Sequence, residues 1–358
     1  MTVDRFVRTL FAGLLLTPLT VPAQQPPPAV SLPAIPPSSH SIKLDVVVDT
    51  KTGQPVTALH QEDFTILDNK SPRPITSFRV MTPAQEPVEV ILFIDAVNAP
   101  YEMVAYMRDG MEKFLKAKEG TLAHPTTIAV LTDQGVQIDG SFSTDGNSLS
   151  DKLSQRQIGL RQVHRNSQWA GSELLQMSLS ALHQLVTYAS TLPGRKVILF
   201  VTPGWPLYSG PGIYLDLKQD QEIFDNVVYL SSHLRQAGIT LYNINPIGVS
   251  QPMLQANYYQ TFLKGITKPN DAQFGDLSIQ VLSVQSGGLT LESNSDVTGG
   301  IQKCLTDADS WYEITFDPTP ADKPNEYHHI EIKLDHPDLI ARTRDGYYSN
   351  PVAVDLSR

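Results

Sequence analysis

The sequence predicts an α/β fold, a mostly parallel sheet with helices on both faces, inserted in a discontinuous β-sandwich. Three observations carry this expectation. The runs Val88–Ile94 and Lys196–Thr202 are almost continuously apolar, as strands buried on both faces are. Segments of helical period alternate with such runs, the pattern of a parallel sheet covered by helices. Near both ends the apolar period drops to two, which marks half-buried strands.

Taken in order, residues 1–23 resemble a signal peptide. Arg5 and Arg8 precede an apolar stretch from Leu10 to Val21, and small residues at Val21-Pro22-Ala23 suggest cleavage after Ala23. That stretch is shorter than the ~20 residues a membrane-spanning helix needs, so no span is expected after cleavage. Residues 24–40 are Pro-rich and suit an extended linker. A β-segment over 41–82 follows, with strands expected from Ile42, at Phe64–Leu67 and at Ile75–Val80. Alone it is too small for a stable sandwich.

The α/β domain is expected over 86–309. Its strands fall at Val88–Ile94, Thr127–Thr132, Lys196–Thr202, Ile239–Ile244 and Gly288–Leu291. Helices are expected over 101–118, 172–188, 222–237, 277–284 and 296–308. Period-two alternation returns over 310–350, with a closing strand at 339–348. The economical solution is that the two flanking β-segments pair across the insertion. Right-handed crossovers gather the strand C-termini at one edge, where ligands of open sheets bind.

Composition excludes some functions. The net charge of −10 argues against a nucleic-acid partner, which requires a basic stripe. Basic pairs such as Arg195-Lys196 read as solvated strand ends. Cys304 is the only cysteine, so no internal disulfide forms, and it reads as a small buried helix residue. There is no G-x-S-x-G elbow, no H-E-x-x-H helix and no Walker ending after Gly210-Pro211-Gly212. His328 and His329 would point to opposite faces of a strand and read as surface and edge residues. The expectation is a protein that is not an enzyme. A hydrolase built from dispersed acidic residues is the alternative.

The order of these elements, headed by EVILFIDAVN, resembles the von Willebrand factor type A domain. More closely, SIKLDVVVDTKTGQPVTALHQEDFTILDN, GRKVILFVTPGWP, SWYEITFDP, YHHIEIKL and ARTRDGYY resemble the bacterial VWFA-related proteins, first described as an acidobacterial group. The resemblance covers roughly residues 41–350 and implies a Rossmann-like sheet. It also implies a Mg²⁺ site at the strand ends, built from D-x-S-x-S, a later Thr, and an Asp after the central strand. Asp95 matches the first position, and Ser172 falls at the Thr. The two serine positions hold Val97 and Ala99, and the second Asp is Pro203. What remains is a degenerate site of Asp95 and Ser172, too poor in oxygen donors to favour Mg²⁺. An Mg²⁺-dependent adhesin through these two residues is the second alternative.

Structural roles are expected there instead. Asp95 would accept backbone N–H groups of the following turn, Asn98 would cap the next helix, and Ser172 would cap its own. Binding would shift to the aromatic loop after the central strand. Trp205, Leu207, Tyr208 and Tyr214, with Asn98 and Tyr101 on the same edge, are the candidate partner-binding residues. The competing reading is that this loop packs on its own domain. The functional expectation is an exported, non-enzymatic, adhesion-type module with a protein partner and no required cofactor.

Overall fold

Alternation along β1 (Ile42–Thr50) buries Ile42, Leu44, Val46 and Val48, while Lys43 stays in water. The computed structural model describes residues 41–156, 168–205, 215–246, 258–292 and 295–349, excluding the side chains of 168–173 and 258. The signal peptide, the linker, Leu207, Tyr208 and Tyr214, and the side chain of Ser172, lie outside the described residues.

Strands β2 (Phe64–Asp68), β3 (Ser71–Arg73) and β4 (Ile75–Met81) complete the first β-segment. The second holds β12 (Trp311–Phe316), β13 (Glu326–Leu334), β14 (Leu339–Arg342) and β15 (Gly346–Ser349). They pair across the insertion in two four-stranded sheets, β14-β1-β12-β4 and β15-β13-β2-β3. Leu44 faces Ile314 in one sheet, and Ile66 faces Ile332 in the other. Phe64, Ile66, Tyr312, Phe316 and Tyr347 fill the space between them. The expected closing strand is two strands. Thr343–Asp345 carries the chain from one sheet to the other, so a single run of sequence serves both layers.

Between these segments, β5 (Val88–Asp95), β6 (Thr121–Thr132), β9 (Arg195–Val201), β10 (Ile239–Ile244) and β11 (Thr290–Leu291) are parallel. Antiparallel β7 (Gly135–Ile138) and β8 (Ser143–Asp145) join β6, giving the order β11-β10-β9-β5-β6-β7. Successive residues of β5 feed opposite faces. Ile91 and Phe93 pack on α3 (Gln168–Ser190) and α4 (Leu217–Gln236). Val90, Leu92 and Ile94 pack with α1 (Tyr101–Lys116), α2 (Gly146–Gln155) and α6 (Val297–Asp309). Cys304 is fully buried on α6, as expected of it. Each such apolar side chain contributes about 1.5–3 kcal/mol on burial.

Helix α2 escapes the sequence reading. Asp145 caps it, accepting the Ser148 N–H at 3.0 Å, and Leu149 and Leu153 are its buried face. Its ten residues hold only those two leucines, too few for a periodic signal.

The α/β domain and the sandwich meet through a buried polar joint, and here the basic pair reads differently. Arg195 and Lys196 are both 3% exposed, not solvated. Arg195 lies over the Trp311 ring at 4.7 Å and donates to the Asp307 carbonyl at 2.7 Å. The Asp307 carboxylate accepts from Tyr242 Oη and from Arg342 Nη2, both at 2.7 Å. Lys196 Nζ donates to the carbonyls of Leu192 and Gly194. The strand start abuts the sandwich, so its cations are held by carbonyls and carboxylates. His328 is a second correction. It is buried, its Nδ1 lies 2.8 Å from Asp68 Oδ1, and its ring stacks on Tyr347, while His329 faces water.

Asp276 yields a prediction about pH. It is 3% exposed, in the turn before α5 (Ile279–Gln285), and accepts the Gln273 N–H at 2.8 Å. Burial pushes its carboxyl from 3.8 up to about 7. The native state therefore holds this proton more tightly than the unfolded chain, so the contribution of Asp276 to stability falls as pH rises from about 4 to about 7. Asp276→Asn keeps an acceptor for Gln273 and removes the titration. Urea midpoints at several pH values should show wild type gaining on the variant as pH falls through that window. A constant difference would refute the assignment.

Candidate functional site

The sheet order places a topological switch point at the C-terminal ends of β5 and β9. The chain leaves β5 for β6 on one side and later returns to β9 on the other. Asp95 ends β5 there and is fully buried. Its Oδ1 accepts the Val97 N–H at 3.0 Å and the Asn98 N–H at 2.9 Å. Its Oδ2 accepts Asn98 Nδ2 at 2.7 Å and Thr202 Oγ1 at 3.0 Å. A carboxylate offers about four lone-pair sites. The four donors occupy them. Burial pushes the carboxyl above its ordinary value, and the donors of Asn98, Val97 and Thr202 oppose that rise.

Asn98 extends the knot. Its Nδ2 also donates to Ser178 Oγ at 2.8 Å, and that hydroxyl donates to the Leu174 carbonyl at 2.9 Å. The amide thus bridges the Asp95 carboxylate and helix α3. It does not cap α1, as the sequence suggested. Pro100 is the N-cap residue, and its carbonyl accepts the Met103 and Val104 N–H groups. The expected Asp95 turn bonds are present. Thr202 and Ser178 were missed. The available signal was a serine on the leucine face of α3, where a fully buried hydroxyl requires a partner.

The donor set does not fit the divalent cation that the resemblance implies. Val97 and Ala99 offer no side-chain oxygen, Ala99 is 7% exposed and packed in the core, and Pro203 follows Thr202. Ser172 lies six residues before Ser178, about 9 Å away along the helix axis. A cation would have to displace the Asn98 amide to reach Asp95.

Trp205 corrects the expectation of an outward anchor. It is 4% exposed, edge-on to Phe200 at 6.4 Å, in the core formed with α3 and α4. Gly204 makes the turn with φ at +97°, and a Cβ there would stand 2.7 Å from Gln280 Nε2. The chain therefore folds Trp205 under the sheet end. Phe262 is also packed inward, against Gly275. Farther along the edge, Asn245 Nδ2 donates to Glu292 Oε2 at 2.7 Å, and burial raises the Glu292 carboxyl.

Other apolar groups face water on this edge. Tyr101 opens α1 and is 64% exposed, and Leu217 opens α4 and is 76% exposed. Helix α1 follows β5 and α4 follows β9, the two strands of the switch point, and the helices pack on opposite faces of the sheet. Asn98 is half-buried. No helix among the described residues is long and apolar enough to cross a membrane.

No family model matches the chain, and no curated protein matches it. Solved structures similar to it include an aerotolerance-related membrane protein from Bacteroides fragilis. That match has 11% identity and a TM-score of 0.36, covering 62% of this chain and 98% of that one. The manganese-loaded TRAP protein of Plasmodium vivax is similar at 9% identity and TM-score 0.33, with 75% and 96% covered. Proximal thread matrix protein 1 of the mussel byssus, with a zinc-occupied MIDAS motif, also matches at 9% identity and TM-score 0.33, covering 68% of this chain and 50% of that chain. The fold stated above rests on the sheet order.

Proposed function

We propose that this is an exported, non-enzymatic protein-binding module that engages its partner at the strand C-terminal edge without a metal ion. The observation that carries the reading is the pair Tyr101 and Leu217, left in water at the first residues of the helices that follow β5 and β9, the two strands of the switch point. Large exposed apolar side chains beside a crevice are what protein partners cover. The closed Asp95 knot supports metal independence, because its carboxylate has no acceptor site left for a cation. Trp205 is not part of this surface. Export is supported by the signal-like residues 1–23.

The test is affinity capture from exported proteins of the source organism, using the mature chain and a Tyr101→Ser/Leu217→Ser double variant. A partner held by wild type in EDTA and at least tenfold weaker with the variant supports the reading. Binding equal in both, or abolished by EDTA, refutes it.

A further inference from the structure

Strand β6 outruns its neighbour at the start. Its pairing with β5 begins at Thr126, opposite Val90, so residues 121–125 lie beyond that ladder, and Pro125 among them has no N–H to offer. Helices α1 and α6 both end beside this overhang. They meet at Gly110, where a Cβ would stand 2.6 Å from Val297 Cβ, and each continues from there to its C-terminus. Between the overhang and the two helix ends lies a cavity of about 330 Å³. Phe114, Leu122 and Leu305 form its apolar wall, and Lys118, His124 and Asp309 are its ionisable residues.

The rim is held in a costly conformation. Lys118, Glu119 and Gly120 turn the chain from α1 into β6 with φ of 49°, 60° and 81°, and left-handed backbone is uncommon for the first two. Asn147 Nδ2 fixes this turn by donating to the Glu119 carbonyl at 2.9 Å. Charge then selects the ligand. Helix C-termini carry partial negative charge and favour cations. Helix α1 has Lys113 and Lys116 in its last turn, whereas α6 has no basic residue there and ends on Asp309. His124 is 4% exposed, and its Nε2 lies 3.2 Å from Asp309 Oδ1. Of about four lone-pair sites, the Asp309 carboxylate uses one among the described residues, toward His124. Its side chain is 62% exposed, so the other sites are accessible.

We propose that this cavity binds a small organic amine, its ammonium group on Asp309 and its apolar body against Phe114, Leu122 and Leu305. Small-molecule sites span roughly 300–1,000 Å³ and combine an apolar lining with a few polar groups that fix orientation. Lys118 is exposed on the rim and opposes a cation, so it sets a sign that the test can read. The site lies where β6 begins, at the end of the sheet away from the switch point, and does not depend on the partner edge.

The test titrates the full chain, at neutral pH and constant ionic strength, with 2-phenylethylamine, 2-phenylethanol or 3-phenylpropionate. Calorimetry and the thermal midpoint are the readouts. The amine should bind saturably at one site and raise the midpoint, with the alcohol and the carboxylate at least tenfold weaker. Asp309→Asn keeps an oxygen for His124 and should weaken the amine at least tenfold, whereas Lys118→Met should bind it as tightly or more so. Leu305→Ser should also weaken the amine, which an ion pair on an exposed carboxylate alone would not do. No saturable binding by wild type, equal amine binding by Asp309→Asn or by Leu305→Ser, weaker binding by Lys118→Met, or the carboxylate binding as tightly as the amine would overturn the proposal.

Discussion

Asp307→Ala is expected to reduce folding stability by about 3 kcal/mol, the lower end for breaking a buried ion pair. The lower end applies because the Arg342 side chain keeps 19% exposure while that of Asp307 keeps 3%. The loss does not come from one contact. Without the carboxylate, Arg342 Nη2 and Tyr242 Oη both lose an acceptor at 2.7 Å. Tyr242 is fully buried and receives no compensating water from the surface. The same helix residue also holds Arg195 through its carbonyl, a bond that alanine preserves. Asp307→Asn keeps an acceptor and should lose less. Urea unfolding followed by tryptophan fluorescence measures the effect, since Trp311 packs under Arg195 at the joint. A loss under about 1 kcal/mol, the worth of an ordinary surface pair, would show that the joint does not couple the two parts.

How much of this was legible in the sequence depends on what each residue must satisfy. Unbroken apolar runs gave β5 and β9, apolar period gave α1 and α3, and the small size of each flanking β-segment gave their pairing, because the pattern of burial is a property of the segment itself. The basic pair at Arg195-Lys196 was misread because the partners of Arg195, Asp307 and Asp45, stand far away in sequence, and because Lys196 turns back onto the nearby Leu192 and Gly194 carbonyls, bonds that leave no periodic signal. His328 was misread likewise, since Asp68 lies 260 positions away. Trp205 shows a different limit. Composition correctly marked an aromatic residue on a constrained turn, but the direction of that turn follows from the positive φ of Gly204. At the edge itself, substitutions at Val97, Ala99 and Pro203 disclosed that the cation ligands are missing. They did not disclose that Asn98 bridges the gap they leave.

Asp95→Ala should cost about 3 kcal/mol, because a charged acceptor of four donors is removed from a fully buried position. Asn98→Ala should cost about 1–2 kcal/mol, as two side-chain bonds are lost and the backbone N–H to Asp95 Oδ1 survives. The double variant should fall short of the sum, since both changes delete the same Nδ2–Oδ2 bond, and contacting pairs couple by about 0.5–3 kcal/mol. The cation response separates this closed knot from a metal site. A ligand that binds only the folded state stabilises it by about 2.7 kcal/mol at a hundred times its Kd. Wild type should show no such rise with Mg²⁺, because the Asn98 amide already fills the position between Asp95 and Ser178. Asn98→Ala frees one Asp95 acceptor, yet Val97 and Ala99 still supply no oxygen, so Mg²⁺ should not restore its lost stability. A saturable rise of the wild-type midpoint with Mg²⁺, absent in Asp95→Ala, would mean that the amide yields to the ion. The edge would then be a cation-gated surface rather than a closed one.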